Sequence, residues 1–281
     1  MVLDGKKIAD ELAIQLKADC DELKAKGIYP KLTIYSNDDP ASQIYMRNKV
    51  KRCEEIGIEV EVIPTAHIGK GAQPSSLGPF IIQEPSSLDK IAKGVVLNAY
   101  AQSDVDGFSS RNIGLLATGG KPYFKPCTPA GIMYMLDYYG IELEGKNALV
   151  IGRSNIVGRP MAMMLEQAGC TVTVAHSKTG TENLIFLASD ADIIVSATGH
   201  RMTDVERNLL AYKAIYDEES LNDKIIIDVG MNRDEDGKLC GDFSEKFKQM
   251  AWAYTPVPGG VGPLTVIMLC KNVIDFYKNR A

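Results

Sequence analysis

Histidine is scarce in this 281-residue chain: only His67, His176 and His200, none at ligand spacing from another histidine or from a cysteine. Cysteine is present six times, as Cys20, Cys53, Cys127, Cys170, Cys240 and Cys270, but never as a CxxC pair. Without such spacing no metal site is expected, and the thiols are expected as small buried hydrophobes in a reducing compartment. A basic surplus is also missing. Thirty-six acidic against 31 basic residues leave a net charge of −5, which argues against a dedicated nucleic-acid binder. No apolar run reaches the roughly 18 residues needed to span a bilayer. The opening MVLDGKKIADEL turns charged at once and lacks the apolar core of a signal peptide. The expectation is a soluble, cytoplasmic protein with neither membrane nor nucleic acid as a partner.

What is there is the composition of an ordinary globular protein, 45% hydrophobic and 24% charged. At roughly 150 residues per domain the length suggests about two domains. Asp4 can cap a first helix from about Lys6 to Lys26, with Ile8, Leu12, Leu16 and Leu23 at helical spacing and Gly27 as its stop. Strands are expected at Lys31 to Tyr35, Ile58 to Ile63 and Phe80 to Gln83, with a helix from Pro40 to near Gly57. The stretch from Pro64 to Pro79 reads as loop. Pro122, Pro126 and Pro129 punctuate the join to a second half, followed by a helix from about Pro129 to Tyr139. That half alternates again: strand Asn147 to Ile151, helix Gly158 to Gln167, strands at 171–175, 193–196 and 225–228, and a last apolar helix from about Leu264 to Lys278. Such β-branched runs suit a parallel sheet buried on both faces.

The most informative unit is Ala148-Leu-Val-Ile-Gly-Arg-Ser-Asn-Ile-Val-Gly-Arg-Pro160. A strand feeds a turn at Gly152, and a helix starting near Gly158 offers unpaired N–H groups and a positive dipole end to phosphate. It is not a clean GxGxxG: Ser154 holds the second glycine place, and Gly158 comes one residue late for the third. A plain strand–helix turn remains open on this motif alone. The following strand ends in His176-Ser177-Lys178-Thr179 and lacks the carboxylate that would hold an NAD ribose. With Arg153 in the glycine turn, a 2′-phosphate is the better fit, so NADP is favoured over NAD.

Elsewhere, Tyr45 and Lys49 share one helix face, and a lysine in a cleft can shuttle protons. Asp104 and Asp106 share one side of an extended chain. Pro256-Val-Pro-Gly-Gly-Val-Gly-Pro-Leu-Thr265 is special backbone placed just before a helix, which suits close approach to a ligand. Each of these alone is as compatible with an exposed helix face or a structural turn.

Taken in order, the motifs resemble the methylenetetrahydrofolate dehydrogenase/methenyltetrahydrofolate cyclohydrolase family of the bacterial FolD kind. They are Pro40-Ala-Ser-Gln-Ile-Tyr45 with Lys49, Gln83, Asp104-Val-Asp-Gly107, Pro126-Cys-Thr-Pro129, Gly152 to Gly158, and Pro258 to Thr265. The resemblance implies two α/β domains flanking a cleft. One, residues 1–122 completed by a C-terminal helix at 264–281, would bind folate. The other, residues 123–263, would be a Rossmann-like NADP domain with a parallel sheet. It implies oxidation of 5,10-methylenetetrahydrofolate with NADP, then hydrolysis of the methenyl product to 10-formyltetrahydrofolate. It also implies a homodimer in one-carbon metabolism and purine biosynthesis.

By residue match, Lys49 would be the central catalytic group and Gln83 its hydrogen-bond partner. Tyr45 would stack on the aminobenzoyl portion of folate, and Asp106 would orient the pterin. Arg153 and Ser177 would meet the 2′-phosphate. Gly152, Ser154, Ile156, Val157, Gly158, His176, Thr198 and Gly199 would line the cofactor. Pro258, Gly259, Gly260, Pro263 and Thr265 would line the substrate side. Two departures stand out: the helix-poor 64–79 segment, and Gln83-Glu84-Pro85-Ser86-Ser87 in place of a Gln-Leu-Pro-Leu-Pro run. A monofunctional dehydrogenase, another small-substrate dehydrogenase and a nucleotide-responsive binding module are the alternatives. Another small-substrate dehydrogenase leaves the Tyr45, Lys49 and Gln83 set unexplained, and the presence of Lys49, Gln83 and Asp106 in one chain argues against a binding module.

Overall fold

The structure, a computed structural model, describes residues 1–36, 40–68, 78–84, 86–202, 205–206 and 223–280, without the side chains of residues 40–42, 44 and 45. The chain divides into two compact units, Ala9–Cys127 with Thr265–Ala281, and Met1–Ile8 with Thr128–Leu264.

Helix α1 (Gly5–Ala25) begins where Asp4 Oδ1 accepts from the Lys7 N–H at 2.9 Å, and the chain turns out of it at Gly27, φ +78°. In the first unit, α1 buries Leu12, Leu16 and Leu23. Strands β1 (Lys31–Ser36), β2 (Glu59–Pro64) and β3 (Phe80–Ile82) form a parallel sheet in the order β2-β1-β3, with α2 (Pro40–Ile56) connecting β1 to β2. A parallel bridge between Phe80 and Asp104 carries the sheet one step further. Tyr35, Phe80, Ile82 and Leu97 make a core cluster beside it.

Two helices here were not anticipated. Helix α3 (Lys90–Ala99) is capped by Asp89, whose carboxylate accepts from the N–H groups of Ile91 and Ala92. Helix α4 (Ser110–Ala117) is capped by the Ser109 hydroxyl, which accepts from the Asn112 N–H. Among its described residues the expected Pro64–Pro79 loop contains a 3₁₀ turn at Thr65–His67; residues 69–77 lie outside those described.

In the second unit, α5 (Cys127–Tyr138) starts two residues earlier than expected, with Pro129 in its first turn, where a missing N–H costs nothing. Next come β4 (Asn147–Ile151), α6 (Gly158–Gln167), β5 (Thr171–Ala175), α7 (Thr181–Asp190), β6 (Ile193–Ser196) and β7 (Ile225–Asp228). A small hairpin follows, β8 (Asn232–Arg233) with β9 (Leu239–Cys240), then α8 (Glu245–Lys248), β10 (Ala253–Tyr254) and α9 (Val261–Lys278). The five-stranded sheet is parallel, in the order β10-β7-β6-β4-β5.

Strands β6 and β7 are buried throughout, as their continuous apolar runs require. β5 corrects the expectation of burial on both faces: it is the sheet edge, and Thr171, Thr173 and Val174 are exposed. At the opposite edge Val2 bridges Tyr254; Leu3 N donates to Tyr254 O at 2.8 Å, and Tyr254 N to Met1 O at 3.0 Å. The last helix begins at Val261, three residues before the expected Leu264, with Pro263 in its first turn.

Candidate active site

In the first unit the chemistry gathers where β3 ends. Gln83 follows Ile82 directly, and its side chain is 6% exposed. Lys49, on α2, donates from Nζ to Gln83 Oε1 at 3.0 Å, while Gln83 Nε2 donates to Glu84 O at 2.8 Å. The amide is thus fixed in orientation, and it fixes the lysine. The register of the Phe80–Asp104 bridge brings Asp106 to this same carboxyl-terminal end of the sheet, where ligands of parallel α/β sheets bind. Burial pushes the Cys127 thiol well up; the carboxylate of Asp106 adds to this and Lys49 opposes it, so the three side chains lie close together.

The two carboxylates of Asp104-Val-Asp-Gly107 have different duties. Asp104 is fully buried and accepts from Ser109 N at 2.6 Å, Gly107 N at 3.1 Å and Asn112 Nδ2 at 3.4 Å. It ties the loop. Burial, with the nearby Asp106 charge, pushes its carboxyl up to about 7 against the hydrogen bonds it receives. Gly107, at φ +76°, lets the loop pass the backbone of Phe124 and Lys125, where a Cβ would come within 2.7 Å of Phe124 O.

Lys93, from the unforeseen α3, joins this cluster. It is ion-paired with Glu84, burial lowers its pKa, and Asp106 and Asp104 pull the other way. Tyr45 falls on α2, but its side chain lies outside the described set.

In the second unit the glycine turn is built from close contacts. Gly152 has φ +129°, and a Cβ there would sit 2.6 Å from Ala197 O; a Cβ on Gly158 would sit 2.1 Å from Gly152 O. The late glycine therefore serves as the close-packing point between strand turn and helix. The helix N-terminus corrects another expectation. Its N–H groups are not all unpaired: Ser154 Oγ accepts from Val157 N at 3.1 Å and Gly158 N at 3.4 Å, and Ser154 O from Arg159 N at 3.0 Å. A serine in the second glycine place thus takes up N–H groups at the entry to the helix.

A cavity of about 530 Å³ opens at the carboxyl ends of β4, β5 and β6. Gly152, Arg153, Ser154, His176, Ser177 and Thr198 line it; Ile156, Val157, Gly158 and Gly199 are not among its lining residues. Sequence reasoning missed Thr179, Thr181, Leu184, His200, Arg201, Met202 and Val205. The usable signal was position: Arg201 and its neighbours follow the end of β6, as His176 follows β5. No carboxylate occurs among the described lining residues, which suits a ligand bearing a phosphate on its ribose.

The wall after β6 is anchored by Gly241 and Asp242. Asp242 is fully buried, and its Oδ2 accepts from Ser196 Oγ at 2.6 Å, Thr198 N at 2.9 Å and Thr198 Oγ1 at 2.9 Å. Asp242 Oδ1 accepts from Asn232 Nδ2 at 2.9 Å, and Asp242 O from Met202 N at 2.8 Å. Asp242 is held in turn by Asp228, whose Oδ1 accepts from its N–H at 2.9 Å.

The loop from Pro258 is tied to the start of α1. Lys6 N donates to Gly259 O at 2.8 Å, and Gly5 passes so close that a Cβ there would come within 1.9 Å of Gly260 O. Pro263 and Thr265 fall inside α9. Among the described residues no group of three His, Cys, Asp or Glu side chains is arranged to hold a metal ion, and no helix is long and apolar enough to cross a membrane.

A parallel dinucleotide sheet whose cavity has arginines and no carboxylate among its described lining residues, and a second α/β unit bearing a lysine–glutamine pair, define an NAD(P)-linked α/β enzyme. Comparison with known proteins makes this particular. Residues 126–281 match the model of the tetrahydrofolate dehydrogenase/cyclohydrolase NAD(P)-binding domain, and residues 3–70 that of the catalytic domain. A bifunctional FolD protein of Burkholderia thailandensis is 41% identical, over 100% of this chain and 98% of its own. The crystal structure of the bifunctional enzyme FolD from Campylobacter jejuni superposes with a TM-score of 0.85 at 39% identity, covering 100% of this chain and 99% of that one. The Trypanosoma brucei dehydrogenase-cyclohydrolase, solved with NADP and an inhibitor, gives 0.85 at 29% identity, covering 100% and 98%. The chain belongs to the tetrahydrofolate dehydrogenase/cyclohydrolase family. Its activities are NADP-dependent oxidation of 5,10-methylenetetrahydrofolate and hydrolysis of the resulting 5,10-methenyl form.

Proposed function

We propose that Lys49 is the catalytic group for hydrolysis, that Gln83 positions it, and that Asp106 binds and orients the pterin. The observation that carries this reading is the 3.0 Å bond from Lys49 Nζ to Gln83 Oε1 at the carboxyl end of the sheet, with Asp106 alongside. The methenyl carbon is a cationic electrophile. Water adds to it, a proton leaves the oxygen, and cleavage of one carbon–nitrogen bond gives the 10-formyl product. A lysine amine held at a fixed place can take the proton from that water and return it to the departing nitrogen. A residue so held gains rate through orientation, and the amide of Gln83 supplies that orientation. Tyr45 completes the folate site by stacking on the aminobenzoyl ring, and the Pro258–Thr265 segment contributes to the substrate side.

The unit formed by 9–127 and 265–281 is the folate-binding part, and the unit built on the five-stranded sheet takes NADP. NADP supplies the hydride acceptor; Arg153 and Ser177 hold its 2′-phosphate, and the glycine turn brings backbone close to it. The enzyme works as a cytoplasmic homodimer supplying one-carbon units for purine biosynthesis. The exposed edge of β5, with Val174 40% exposed, is a surface that a second copy can cover.

The test is spectrophotometric. Purified protein with methylenetetrahydrofolate and NADP is expected to produce NADPH without build-up of the methenyl absorbance. Methenyl accumulating at the uncatalysed hydrolysis rate would leave a dehydrogenase alone and remove the role given to Lys49. Sedimentation at micromolar concentration checks the dimer, with a single monomer boundary as the refuting result.

A further inference from the structure

We propose that Arg201 is a second arginine for the 2′-phosphate of NADP, acting with Arg153 to set the preference for NADP over NAD. The cavity it lines is the adenosine end of a dinucleotide site. Its walls come from the turn after β4, with Gly152, Arg153 and Ser154, from the turn after β5, with His176, Ser177 and Thr179, and from the turn after β6, with Thr198 and Arg201. The start of α6, where a pyrophosphate lies in such sheets, contributes none of the lining from Ile156 to Gly158.

Arg201 is held in place rather than left to swing. One of its Nη groups donates to Gly241 O at 2.9 Å, which uses one of the five donors of a guanidinium. The flanking residues are tied to the next position in the chain, Thr198 to the Asp242 carboxylate and Met202 to the Asp242 carbonyl. That anchor presents the guanidinium already oriented, so ligand binding loses less side-chain entropy.

The electrostatics agree. Two guanidinium groups line one cavity with no carboxylate among its described lining residues. The nearest acid in the anchor, Asp242, is fully buried and already accepts from Ser196, Thr198 and Asn232. A phosphate monoester carries nearly two negative charges, and two arginines match it through planar, paired N–H donors. A 2′-hydroxyl offers no such charge, so the pair discriminates rather than merely binds.

The inference rests on the placement of NADP's adenosine end in this cavity, and one calorimetric series separates the two claims. Titrate the full chain with 2′,5′-ADP, 5′-AMP, NADP and NAD, as wild type, Arg201→Ala, Arg201→Lys and Arg153→Ala. Arg201→Ala is expected to weaken 2′,5′-ADP and NADP roughly tenfold while changing 5′-AMP and NAD less than about twofold, with Arg201→Lys recovering part of the loss. Equal weakening of NADP and NAD, or none of either, would overturn the role of Arg201 while Arg153→Ala still reports a phosphate site. A wild type that binds 5′-AMP as tightly as 2′,5′-ADP would overturn the placement itself, and this inference with it.

Discussion

Lys49 and Gln83, 34 positions apart in the chain, meet as Nζ donor and amide acceptor 3.0 Å apart, one from a helix and one from the end of a strand. Replacing Lys49 by Met removes the proton-handling group and keeps the bulk. Hydrolysis of methenyltetrahydrofolate is expected to fall by about 10²–10⁴-fold while NADP binding is unchanged. Gln83→Leu, which leaves the lysine without its guide, is expected to lower kcat more than it raises KM. Unchanged hydrolysis in the Lys49 variant defeats the assignment.

Asp104 makes stability depend on pH in a particular direction. Its carboxyl, near 3.8 in an unfolded chain, is pushed up to about 7 when buried. Between those values the folded chain keeps a proton that the unfolded chain has released. Its contribution is therefore fullest below about pH 4 and is lost as pH rises through about 7. Asp104→Asn cannot ionise, so its stability relative to wild type should improve from pH 5 to pH 8, measured by urea denaturation. Parallel pH profiles for the two proteins would remove the claim.

Gly158→Ala places a methyl group 2.1 Å from Gly152 O, a backbone atom with little room to move. The variant is expected to lose about 1–3 kcal/mol of stability and to bind NADP more weakly, because relief requires opening the glycine turn. Chemical denaturation and calorimetry check both. Wild-type values would mean that the turn yields freely.

Asp242→Asn tests the anchor of the cavity wall. One carboxylate oxygen takes three donors and the other takes Asn232, and an amide offers only one oxygen for both tasks. A loss of about 1–3 kcal/mol is expected, with a raised KM for NADP and a nearly constant kcat. The double variant Asp242→Asn with Asn232→Asp restores a donor–acceptor pair on the Oδ1 side. It should recover part of the KM, whereas simple destabilisation would leave the double variant no better than the single.

The nucleotide half was the more legible. Its strands at 147–151, 171–175, 193–196 and 225–228 and the helix at 158–167 follow the sequence reading, because apolar β-branched runs and a glycine turn leave few alternatives. The edge position of β5 was hidden, since strand order depends on pairing that no local pattern records. Helix α3 escaped because Gly94 interrupts it and Ile91 and Val95 face solvent, 80% and 64% exposed, which blurs the helical stripe. Its cap at Asp89 was the available sign. Lys49, Gln83 and Asp106 were found by motif and brought together by topology. Lys93 and Arg201 belong to no motif and became visible only where chain ends of separate strands converge.

The pairing of Met1 and Leu3 with Tyr254 has a bearing on how the molecule is made. These early residues form the rim of a sheet whose partner strand is synthesised some 250 positions later. That rim stays open until the partner emerges, and contacts of such sequence separation slow folding. The dinucleotide unit therefore cannot finish cotranslationally as a block of its own. A nascent chain halted before residue 253 should be digested by protease at its amino terminus, while the completed chain resists at the same bonds.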